Sequence, residues 1–146
     1  MKRGLACETR LDIWHQQYRV LGVATVIHAH PKVGVDRNGK VFFAGEGPPD
    51  YLGAFRVRDR WTSIAFEAKE TKKPRLPFSA LSLHQAQYLE GFHIAGWVTG
   101  VAGMVQGDMF WFPWVDQRDR YWSQVGSFEA GIPIPSEGWF SLLGGA

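Results

Sequence analysis

The stretch 46–69, EGPPDYLGAFRVRDRWTSIAFEAK, sets the architecture. Gly47-Pro48-Pro49 is a rigid opening, and it leads into a β-prone run that ends near Val57. WTSIAFEAK (61–69) reads as a second strand. The polar turn Arg58-Asp59-Arg60 folds the second strand back on the first. That pairing sets Asp50 opposite the end that carries Glu67 and Lys69. Side chains alternate along a strand, so Glu67 and Lys69 share one face.

Working outward, Leu11, Trp14, Tyr18 and Leu21 recur at helical spacing over 4–20, and Gly22 closes that helix. GVATVIHAH (22–30) reads as a strand stopped by Pro31. Residues 32–44 read as a hairpin, with Val33 and Val35 on one arm, Val41 and Phe43 on the other, and Asn38-Gly39 at the turn. Downstream, ETKKPRLPF (70–78) is a basic loop. Ser79 or Ser82 can cap a helix over 82–93. GWVTGVAGMVQ (96–106) and DMFWFPW (108–114) read as two further strands, and 115–125 as a short helix before a Gly/Pro-rich tail. Helix, strands, helix, strands is the order of a mixed α/β domain built on one sheet.

The chain has 146 residues, 45% of them apolar and 21% charged, which suits one globular domain over 1–146 and argues against disorder. The single cysteine, Cys7, excludes an internal disulfide framework and a Cys-rich zinc site, and it suits a reducing cytoplasm, or a host's cytoplasm if the source is viral. Glu8, Arg10 and Asp12 interrupt any signal-peptide core, and no segment reads as a membrane span. The net charge of +2 hides an asymmetry. Residues 1–75 hold 14 Lys/Arg against 8 Asp/Glu, and residues 76–146 hold 2 against 6. A basic half on a small domain points to a polyanionic partner.

Asp50, Glu67 and Lys69 are the chemically informative set. Two carboxylates side by side in a segment rich in Phe, Ile and Ala are costly unless a positive charge lies between them. A hard divalent cation answers that need: Mg2+ is held by one or two carboxylates together with waters and phosphate oxygens. It would polarise a phosphodiester and acidify a bound water. Lys69 would orient that water or stabilise charge growing on the phosphorane oxygens. Lys72, Lys73 and Arg75 would grip the flanking phosphates. Against this, Glu-x-Lys on a strand is also the mark of an ordinary solvated ion pair.

Pro49-Asp50, sixteen residues, then Glu67-Ala68-Lys69 follows the pattern of the PD-(D/E)xK nuclease superfamily. The whole run GPPDYLGAFRVRDRWTSIAFEAKETKKPRLPFSALSLHQ (47–85) resembles the RecU-type Holliday junction resolvases, most densely over 45–93. The resemblance implies a restriction-endonuclease-like core: a single mixed β-sheet flanked by helices, with a short projecting hairpin (32–45) matching the family's stalk. It implies that Asp50, Glu67 and the Ala68 carbonyl bind Mg2+, with Mn2+ able to substitute. Gln85 matches the family's glutamine near the metal. Lys69 matches its transition-state stabiliser, and Glu8 its first-helix acid. Lys32, Arg37 and Lys40 on the hairpin then join Lys72, Lys73 and Arg75 as DNA contacts. The family's Thr-x-Asp is Pro48-Pro49-Asp50 here, and Pro48 has no hydroxyl to offer a metal.

The function this implies is a Mg2+-dependent endonuclease that resolves four-way DNA junctions by paired symmetric nicks, leaving 5′-phosphate ends. Two nicks related by a two-fold axis call for a homodimer. The alternatives are a relative acting on linear duplex DNA and a non-catalytic junction-binding protein. His28 and His30 lack a third ligand in sequence and read as structural or DNA-facing, Cys7 as a small buried residue, and most aromatics, Trp111, Phe112 and Trp114 among them, as core.

Overall fold

The computed structural model of the chain describes residues 5–29, 33–43, 47–124 and 126–146. Helix α1 (Leu5–Leu21) is followed by strand β1 (Ala24–His28) and a hairpin of β2 (Val33–Val35) and β3 (Val41–Phe43). Strands β4 (Tyr51–Val57) and β5 (Arg60–Thr71) come next, then a 3-10 turn at Phe78–Ala80 and helix α2 (Leu83–Ile94). Strands β6 (Val98–Val105) and β7 (Asp108–Pro113), helix α3 (Trp114–Trp122) and the short strand β8 (Ile132–Pro133) complete the order.

The result is the α/β fold expected: one mixed six-stranded sheet in the order β1-β4-β5-β6-β7-β8. β5 and β6 run parallel, and every other pair is antiparallel. The basic loop, the 3-10 turn and α2 make the crossover that a parallel pair needs. β2 and β3 form a separate two-stranded sheet. Gly39, at φ +77°, supplies the turn between them. Asn38 does not take a positive φ there. Instead the Asp36 carboxylate accepts the N–H groups of Asn38 and Lys40, so the loop is longer than a two-residue turn.

The sheet carries a core on each face. On one face α1 buries Cys7, Leu11, Trp14 and Tyr18 against Tyr51, Phe55, Ile64 and Phe66. On the other, α2 and α3 bury Ala86, Leu89 and Trp114 against Val101 and Phe112. Residues 64–68 of β5 are buried without interruption, as befits a central strand covered on both sides. Trp111, Phe112 and Trp114 lie in the core as expected.

The reading of α1 needs one correction. Leu21 is exposed, and the buried stripe is completed by Cys7 and His15 instead. The Gly/Pro-rich tail, to which the sequence assigns no element, contributes to the core. It folds back so that Trp139 is fully buried beside Tyr18, Phe55 and His15. Gly138, at φ +104°, allows this: a Cβ there would stand 2.0 Å from the Tyr18 hydroxyl.

Candidate active site

The β4–β5 register fixes the site. Tyr51 pairs with Phe66, Leu52 with Ala65, and so on to Val57 with Arg60. One step beyond Tyr51, Asp50 faces Glu67, as the sequence predicts. Instead of continuing the strand, Asp50 turns its side chain to the sheet: Oδ2 accepts the Ala68 N–H at 2.9 Å. Its backbone carbonyl accepts the Ala29 N–H at 2.8 Å. Asp50 is therefore held between β1 and β5.

Glu67 is only 1% exposed, and its Oε2 has no hydrogen-bond partner among the described residues. Burial, then the negative charge of Asp50, then a carboxyl–carboxyl hydrogen bond to Asp50 push its pKa up to about 9; Lys69, two residues on, pulls the other way by less. Glu67 lies on the α2 face of the sheet, level with Val101 of β6.

An orphaned, buried carboxylate oxygen beside a second carboxylate fits a hard divalent cation. Among the described residues no group of three or more His, Cys, Asp or Glu is arranged to hold a metal.

The remaining residues named from sequence are placed as follows. Gln85 sits in the first turn of α2 as half of a capping box: its Oε1 accepts the Ser82 N–H at 3.0 Å while Ser82 Oγ accepts the Gln85 N–H at 3.1 Å. Glu8 lies on α1, on the opposite face from Glu67, with Oε1 3.7 Å from His28 Nε2. Lys72, Lys73 and Arg75 are exposed on the loop after β5, where Arg75 reaches Glu129 at 4.0 Å. Arg37 and Lys40 are exposed at the β2–β3 loop. Lys32 lies outside the described residues, as does His30.

Two arrangements escape the sequence. His28 Nδ1 is 3.3 Å from Asp12, and the His28 ring stacks on Tyr51, whose hydroxyl donates to the same carboxylate at 2.9 Å. His84, one residue before Gln85, brings Nε2 to 3.0 Å from the Gly47 carbonyl. The only sequence signal for the second is the His-Gln pair at a helix start.

No helix among the described residues is long and apolar enough to cross a membrane. No curated protein matches the chain at a significant level. A family model described as RecU, recombination protein U, matches residues 2–105, more than two thirds of the chain, including β4 and β5. With Asp50, Glu67 and Lys69 brought together within that span, the chain belongs to the RecU family of Holliday junction resolvases, nucleases that bind branched DNA.

Proposed function

We propose that the protein is a Mg2+-dependent endonuclease that resolves four-way junctions by paired nicks, working as a homodimer. The burial of the Glu67 carboxylate beside Asp50, with its Oε2 lacking a hydrogen-bond partner among the described residues, carries this reading. An ion-pair role would give that oxygen a partner or solvent; a structural role would replace it with an apolar side chain.

Asp50, Glu67 and the Ala68 carbonyl are the groups that would hold the ion, with Gln85 alongside on α2. When bound, a divalent cation polarises the scissile phosphodiester and lowers the pKa of an attacking water. Asp50 keeps its carboxylate oriented through the Ala68 N–H. Glu67 would be ionised when the ion is bound, so that both carboxylates could serve as its ligands. Lys69, on the same face as Glu67, supplies positive charge to the phosphate oxygens as the water attacks and the 3′ oxygen leaves. Glu8, beside His28 on the α1 face, would act indirectly, through the β1 end whose Ala29 N–H holds the Asp50 carbonyl.

Lys72, Lys73 and Arg75, with Lys32, Arg37 and Lys40 on the hairpin, would bind backbone phosphates. The Arg75–Glu129 contact is long and exposed, so little is lost when Arg75 turns to DNA. Two protomers would present two such sites with the two-fold symmetry of a junction.

An immobile four-way junction, the purified protein and Mg2+ test the reading. Symmetric nicks in two strands are expected, absent in Glu67→Gln although that variant still binds the junction. No nicking by the wild-type protein, or equal nicking by both, overturns it. Equal cutting of a linear duplex at the same concentration would move the assignment to a general duplex nuclease.

A further inference from the structure

We propose that His84 is a positioning residue for Asp50. Its imidazole ties the Gly47-Pro48-Pro49 lead-in to the first turn of α2, and so sets how close the Asp50 carboxylate stands to Glu67. The inference rests on the divalent-ion reading of that carboxylate pair and extends it to a residue on α2.

A carbonyl oxygen can only accept, so the 3.0 Å contact has His84 Nε2–H donating to Gly47. The half-buried ring is held edge-on against Tyr88, one turn further along α2, with centroids 4.6 Å apart at 85°. The donor is thus fixed in direction by packing on its own helix. The capping box at Ser82 and Gln85 fixes the same turn of α2.

Between the tether and Asp50 stand two prolines, whose φ values are locked by their rings. Pro49 is buried as well. A constraint applied at Gly47 therefore reaches Asp50 with little slack. From the other side, Asp50 is fixed by the Ala68 and Ala29 N–H groups. In the doubly ionised form that a cation needs, mutual repulsion favours separation of the two carboxylates. The lead-in is where such a retreat would begin, and His84 holds it to the helix that covers the Glu67 face of the sheet.

Groups that orient metal ligands typically alter metal affinity by 10–100-fold when removed. The informative variant is His84→Phe, which keeps a ring against Tyr88 and loses the donor. His84→Gln returns an N–H donor. Mn2+ binding to the DNA-free protein is measured by calorimetry, beside the half-saturating Mg2+ for junction nicking and the melting temperature without metal. For His84→Phe, the Mn2+ dissociation constant and the half-saturating Mg2+ are expected to rise about tenfold. Its nicking rate at saturating metal and its junction binding in EDTA stay near wild type, and His84→Gln recovers most of the loss. His84→Ala carries the same expectation should the phenylalanine variant fail to fold.

Unchanged Mn2+ affinity in His84→Phe overturns the proposal and leaves the metal reading standing. So does a loss that persists at saturating metal, accompanies a lower metal-free melting temperature and is not rescued by glutamine. A wild-type protein that binds no Mn2+ overturns both together.

Discussion

Glu67 is a residue whose local environment opposes its charge. Its folded pKa, about 9, lies above the ordinary carboxylate value of 4.5. The folded state therefore binds the extra proton, and without metal this residue makes the protein lose stability as pH rises from 4.5 toward 9. Glu67→Gln removes that slope. It should raise the metal-free melting temperature at pH 7.5, by a stability increment on the order of 1 kcal/mol or more, while abolishing nicking. Thermal melts across that pH range check both signs. His15 behaves in the opposite sense. Burial drops its pKa from 6.5 to about 4, with its Nε2 accepting the Trp139 indole N–H at 2.9 Å and its Nδ1 unpartnered among the described residues. The unfolded chain takes up the proton first, so stability falls as pH drops from 6.5 through 4. The loss approaches roughly 3 kcal/mol below that window. A His15→Gln variant should show a flatter acid limb in the same melts.

At the scale of elements, α2 does more than cover the sheet. Its N-terminus brings the Ser82–Gln85 capping box and the His84 tether to the loop that ends at Asp50. Ser82→Ala should cost about 1 kcal/mol in urea unfolding, the ordinary worth of an N-cap hydroxyl. Gln85→Glu preserves the box and should cost less than Gln85→Ala. α2 is held in turn by α3: Arg118 donates to both Glu90 carboxylate oxygens, and the Trp122 indole donates to one of them at 2.9 Å. That pairing keeps the Glu90 carboxyl below its usual range, chiefly through the Arg118 bonds.

The whole molecule is closed by its tail. The family match stops at residue 105, yet Trp139 fills the core between α1 and β4. The Trp14 indole and the Tyr18 hydroxyl donate to the Ser136 and Glu137 carbonyls, and the Ala146 N–H reaches Arg56. Trp139→Ala should cost about 3–5 kcal/mol, a large part of the stability of a domain this size. Loss of the cooperative melting transition near 37 °C is the expected readout, even though residue 139 lies on the far side of the sheet from Glu67. The β4–β5 pair thus depends for its packing on chain beyond the matched span.

Much of this organisation is written locally. Period-two alternation and a short polar turn were enough to oppose Asp50 to Glu67, and 3.6-residue periodicity with Gly22 was enough for α1, because both signals act over a few neighbouring residues. The basic character of the loop after β5 likewise follows from composition. What the sequence could not fix is whatever joins distant segments. The Trp139–His15 bond spans 124 residues, and the His84–Gly47 tether spans 37. Whether Glu67 was a solvated ion-pair partner or a sealed carboxylate also waited on α2 folding over its strand. Burial depends on what packs above a side chain, and a residue's neighbours in sequence do not specify that cover.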